Sequence, residues 1–197
     1  MNRTRPILWL HAAPGQIAMF LPLCRRGFMV ETPAGATLLE VLSGAGFSRE
    51  YLRDRVQTIF LDGSAVDDLN AETIGGGSVI ALSAALPGLA GAIFRKESAV
   101  APLRSRTEKR KDAPGERTQT VFATLKLFNL VAEEMGPALM RDGITVKRSD
   151  LREEFTKRSR VLENVIIGAE LDGKSVSPGA LLAGDLPDHE YIRLRIT

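Results

Sequence analysis

Val56-Gln57-Thr58-Ile59-Phe60-Leu61-Asp62-Gly63-Ser64-Ala65-Val66 has a counterpart in the second half of the chain, Val165-Ile166-Ile167-Gly168-Ala169-Glu170-Leu171-Asp172-Gly173-Lys174-Ser175-Val176. Each stretch runs through apolar residues into Leu-Asp-Gly and leaves through a small residue and a valine. Asp-Gly supplies positive φ at low cost, so each reads as a tight hairpin turn. A leucine-bearing polar loop follows in both. A closing strand comes next, Val79-Ile80-Ala81-Leu82 in the first and Tyr191-Ile192-Arg193-Leu194 in the second. Internal similarity of this kind predicts one design written twice, and hence two small domains of one kind.

Working outward, the first half begins with a strand at Ile7-Leu8-Trp9-Leu10. An apolar stretch from Gln16 to Cys24 makes a helical turn or more, and a second strand is Phe28-Met29-Val30-Glu31. Pro33-Ala34-Gly35 is a turn. Thr37-Leu38-Leu39-Glu40 has the form of a capping box, in which the threonine oxygen accepts from the third backbone N–H and the glutamate reaches back. Leu38, Val41 and Leu42 continue at helical spacing, and Gly44 and Gly46 end the helix. The second half repeats the order. Val121 to Phe128 is a strand, Leu130 to Met140 an apolar loop or short helix, and Ile144 to Lys147 a strand. Asp150 starts a helix with Leu151 and Phe155 on one face, and Tyr191 to Ile196 is the last strand.

Composition bounds the class. The 197 residues are 44% hydrophobic and 25% charged, with a net charge of +2, so no global field attracts nucleic acid. Cys24 is the single cysteine, which excludes a disulfide framework and a cysteine metal cluster. No apolar run approaches the roughly 18 residues that span a bilayer. Arg3 and Arg5 precede an apolar run, but His11, Pro14 and Gln16 interrupt it, and the expectation is a mature cytoplasmic protein. Residues 96–118 carry seven basic side chains against four acidic ones, with Pro102 and Pro114 and few large apolar residues. Such a segment buries too little to order itself and reads as a flexible basic linker. A patch for an acidic partner or RNA, and a processing site, are the sharper alternatives.

Strand, strand, helix, strand, strand is a β-grasp pattern, and three stretches carry a more specific resemblance. They are Pro33-Ala34-Gly35-Ala36-Thr37-Leu38-Leu39-Glu40-Val41-Leu42, then Phe60-Leu61-Asp62-Gly63-Ser64-Ala65-Val66 with Gly77-Ser78-Val79-Ile80, and Leu86-Pro87-Gly88-Leu89-Ala90-Gly91-Ala92. Together they resemble ubiquitin-like β-grasp proteins, in particular the small sulfur carriers of molybdopterin and thiamine synthesis (the MoaD/ThiS type). The resemblance implies an α+β fold of two β-grasp domains, each a mixed sheet curled over one helix. Residues 1–95 are then a sulfur-carrier-like domain, and 119–197 a second domain without a glycine tail. It further implies that activity resides in a free terminal glycine carboxylate. Here Ala92 stands in place of the second glycine, and the chain continues through Ile93 and Phe94.

The expected function is therefore non-catalytic binding of a protein, with no cofactor. In the family such a partner is an adenylating or pterin-processing enzyme. A β-grasp sheet has one face free for a partner and an edge strand able to extend another sheet. By the resemblance, the contact region is Leu86, Pro87, Gly88, Leu89, Ala90, Gly91 and Ala92 with the sheet surface around Phe60, although Leu86 and Leu89 equally suit packing onto their own domain. A carrier precursor cleaved after Gly91 or Ala92 is one alternative. An RNA-binding β-grasp module is another, supported only by the basic residues of 96–118. The remaining candidates read as structural. His11 is a surface or satisfied loop residue and His189 a turn residue. Gly75-Gly76-Gly77 is a turn, because no Lys-Ser/Thr follows it. Asp62, Asp67 and Asp68 form a solvated hairpin more readily than a cation site. Cys24 beside Arg25 and Arg26 is either an idle apolar thiol, the favoured reading, or a thiol of lowered pKa.

Overall fold

The computed structural model describes residues 5–84 and 119–197. In chain order the described elements are strand β1 (Ile7–Ala12), a 3-10 turn (Gln16–Phe20), helix α1 (Leu21–Arg26), β2 (Phe28–Pro33), α2 (Leu38–Gly44), α3 (Arg49–Asp54), β3 (Thr58–Leu61), β4 (Ser64–Ala65), β5 (Val79–Ser83), β6 (Thr120–Phe128), α4 (Asn129–Asp142), β7 (Ile144–Lys147), α5 (Arg148–Lys157), α6 (Ser159–Leu162), β8 (Ile166–Leu171), β9 (Lys174–Ser175), α7 (Pro178–Leu182) and β10 (Tyr191–Ile196).

Local chemistry explains most of these elements. Thr37 and Glu40 make both bonds of the capping box, Glu40 N to Thr37 Oγ1 at 3.2 Å and Thr37 N to Glu40 Oε2 at 2.7 Å. Both Asp-Gly turns take left-handed backbone at both positions, with φ of 50° and 84° at Asp62 and Gly63 and of 49° and 78° at Asp172 and Gly173. That is the turn whose twist matches its flanking strands. Helix α5 starts at Arg148 rather than at Asp150. Its N-cap, Lys147, makes no side-chain cap bond, so burial of Leu151 and Phe155 holds it instead. Helices α3 and α7, which were not read from the sequence, begin at Ser48, which accepts from Tyr51 N, and at Ser177 before Pro178, which accepts from Ala180 N.

The expectation of two β-grasp domains is overturned. The strands form one ten-stranded sheet in the order β4-β3-β5-β6-β2-β7-β10-β1-β8-β9. The chain divides into two compact units that are not its two halves. One contains Met1–Phe28 and Ala132–Thr197, the other Met29–Val131. In the first unit β1 lies between β10, to which it is parallel, and β8, to which it is antiparallel, while β10 pairs antiparallel with β7. In the second unit β5 lies between β3, antiparallel, and β6, parallel. Strand β1, from the first half of the sequence, is thus built into the unit that holds most of the second half. Strand β6, from the second half, is built into the unit that holds most of the first. The physical reason is that alternation specifies which face of a strand is buried, not which strand it joins.

Each unit has its own core. In the first, Leu8 and Leu10 of β1, Ile192, Leu194 and Ile196 of β10, Val146 of β7 and Phe155 of α5 are fully buried. In the second, Leu38 and Leu42 of α2, Ile80 and Leu82 of β5 and Leu125 and Leu127 of β6 are. Among the described residues no helix is long and apolar enough to cross a membrane.

Candidate functional site

The burial of Leu8, Leu10, Ile192 and Leu194 turns the alternate residues outward. Cross-strand register then sets them in rows, with Ile7 beside Arg193, Trp9 between Arg195 and Glu170, and His11 beside Gly168. Tyr191 stands beside Lys147 on the neighbouring strand. Ile7 is 45% exposed. Ile167 has no partner in the register between β1 and β8, which shifts between His11 and Ala12. This bulge leaves it 68% exposed.

Polar contacts order this face. Trp9 Nε1 donates to Thr197 Oγ1 at 3.0 Å. His11 lies with Nδ1 3.2 Å from the same hydroxyl and Nε2 3.4 Å from Glu170 Oε1. The Arg195 guanidinium carbon is 4.8 Å from the indole centroid, a cation–π distance. Arg195 and Arg193 also donate to the Arg141 and Asp142 carbonyls at the end of α4. Cations there satisfy carbonyls that lack intrahelical partners. Gly143 closes the helix at φ 103°, where a Cβ would come within 2.9 Å of Arg193 Nε.

An ion cluster underlies the same unit. Arg26 donates two 2.9 Å bonds to Glu153, whose carboxylate also receives Lys157 Nζ. Glu154, 4% exposed, pairs with Arg158, and Arg158 also donates to the Met19 carbonyl. The hydrogen bonds from Arg26, and then from Lys157, lower the Glu153 carboxyl from 4.5 to about 2. A depressed carboxyl pKa contributes stability above the unfolded value, and that contribution is lost as pH falls through the folded one. Urea unfolding at a series of pH values is therefore expected to show stability declining from pH 4.5 towards pH 2. Arg26→Gln should flatten that slope; an unchanged slope would remove Arg26 as its origin.

Leu86, Pro87, Gly88, Leu89, Ala90, Gly91 and Ala92, and the segment 96–118, lie outside the described residues. Phe60 is half-buried on β3, opposite Ala65 and Ala81, in the second unit, whereas Trp9 belongs to the first. His11 is a bonded strand residue. His189 sits in a turn, its N–H donating to the Pro187 carbonyl. Asp62 accepts from Val79 N and Ser78 Oγ, and Asp68 from Asn70 N and Ala71 N, so both carboxylates shape turns. Among the described residues no cluster of His, Cys, Asp or Glu has the arrangement of a metal site. Cys24 is fully buried, and desolvation, opposed by Arg25, pushes its thiol up to about 12, the reverse of activation.

Among the described residues the outermost strands, β4 and β9, are two residues each. The open face around Trp9 was not read from the sequence. Its signal was the alternation Arg193, Arg195 beside Leu194 and Ile196, which marks β10 as half-buried. Its partnership with Trp9 depends on the parallel register of β1 and β10. No family model, curated protein or solved structure matches this chain.

Proposed function

We propose that this chain acts by binding a protein partner, not by catalysis, and that the open face of β1, β8 and β10 is its contact surface in the first unit. The observation that carries the reading is Trp9 stacked with Arg195 on a solvent-facing sheet surface, with Ile7 exposed in the same rows. Tryptophan, tyrosine and arginine dominate binding hot spots, because they bury large area while keeping a polar handle. The sequence resemblance to sulfur carriers supplies the first candidate partner, an adenylating enzyme. The ten-stranded sheet gives that candidate no support from the fold, so the reading rests on the face itself.

A photo-crosslinking residue at Ile167, placed in the full chain in its native host, tests this. The expected result is a discrete protein adduct. Trp9→Ala should weaken binding of that protein, once purified, by about 30-fold, the loss of roughly 2 kcal/mol usual for an aromatic anchor. Adducts only with RNA, or a partner whose affinity ignores Trp9→Ala in a variant of unchanged circular dichroism, would sink the reading.

A further inference from the structure

A cavity of about 790 Å³ opens in the first unit where β7 runs into α5. Lys147, Arg148, Ser149 and Arg152 line it from one side, and His189 from the turn before β10. Three carboxylates, Glu153, Asp188 and Glu190, reach the same space, and the first two have cations of their own. Glu153 is held by Arg26 and Lys157, and Asp188 by Arg148 at 2.8 Å. That leaves Lys147 and Arg152 with no ion pair or side-chain hydrogen bond among the described residues. Behind them Arg148 Nε and His189 Nδ1 are enclosed, with no hydrogen-bond partner among the described residues.

We propose that this cavity binds the phosphate group of a phosphorylated small molecule. Uncommitted Lys and Arg side chains supply the countercharge, and a guanidinium donor matches the geometry of a phosphate oxygen. The Ser149 hydroxyl offers a further bond. Arg148 and Arg152, one helical turn apart, present both guanidiniums to one side of α5. The volume lies in the range of small-molecule sites, about 300–1,000 Å³, larger than a lone anion requires. The open face around Trp9 plays no part in this site, so failure of either proposal leaves the other standing.

The test is a backbone-amide NMR titration of the full chain at low salt, with inorganic phosphate, ribose 5-phosphate and a phosphoserine hexapeptide as separate probes. Saturable shifts of residues 147–152 and 188–190 are expected, with ribose 5-phosphate at least as tight as inorganic phosphate and tighter than the peptide. Arg152→Gln should weaken binding at least about 10-fold, as loss of a charge-assisted bond predicts. Lys174→Gln, on exposed β9, should leave it unchanged. Spectra of the unliganded variants establish that each is folded. No saturable shift, equal weakening in both variants, or tighter binding of the peptide would overturn the assignment.

Discussion

Expressed separately, residues 1–95 and residues 119–197 are each expected to lack a cooperative thermal transition. Fragment 119–197 loses β1, a strand paired on both sides, by β10 and by β8. With it go Leu8 and Leu10, both fully buried. Fragment 1–95 loses β6, the parallel neighbour of β5, and with it Ala123, Leu125 and Leu127. Burying one leucine stabilises by about 1.5–3 kcal/mol. Two such leucines in each case, together with a whole ladder of backbone bonds, rival the 5–15 kcal/mol that typically separates native from unfolded chain. The missing strand also leaves an unpaired hydrophobic edge, so the fragments should aggregate. Circular dichroism melts and amide-proton dispersion read the outcome. A sharp melt and dispersed spectrum from either fragment alone would show that it folds within its own half of the sequence, and the strand pairing described here would be wrong.

The second large effect concerns the buried carboxylate of Glu154. Its main partner is Arg158, and Arg26 Nε stands at 3.7 Å. Removing one member of a buried pair strands the other charge in a poorly solvated place, typically at 3–5 kcal/mol. Arg158→Ala also releases the Met19 carbonyl, which ends the tie from α5 to the 3-10 turn. The nearby Arg26 offsets part of the loss, so a decrease of about 3 kcal/mol in urea-unfolding free energy is expected, the low end of that range. The double variant Arg158→Met with Glu154→Leu should recover much of it, because the penalty comes from the unmatched charge. A loss below about 1 kcal/mol for Arg158→Ala would place the pair with solvated surface bridges instead.

Each residue that matched its sequence reading did so through short-range chemistry. Thr37 and Glu40 cap α2 because the two side chains are three residues apart on one turn. Asp62-Gly63 and Asp172-Gly173 turn alike because positive φ is a property of those dipeptides. Leu151 and Phe155 share a buried face through helical spacing alone. The start of α5 at Arg148 escaped because Lys147 carries no capping signal, the helix being held by packing.

The candidate site was legible only in part. The sequence marked Trp9 and Arg195 as strand residues but read His11 as a loop residue, whereas it lies within β1. Nothing local stated that β1 would lie against β10 or β8. The cavity at α5 was likewise hidden. Its cations and Glu153 come from neighbouring positions 147–153, but Asp188, His189 and Glu190 arrive from a turn nearly forty residues on. What the sequence determined by itself was the inventory of strands, turns and caps and the face each strand would bury, since backbone sterics and side-chain periodicity act over a few residues. Which strand lies beside which was decided only in the tertiary structure, because several half-buried strands carry the same alternation and their pairing depends on contacts far apart in the chain.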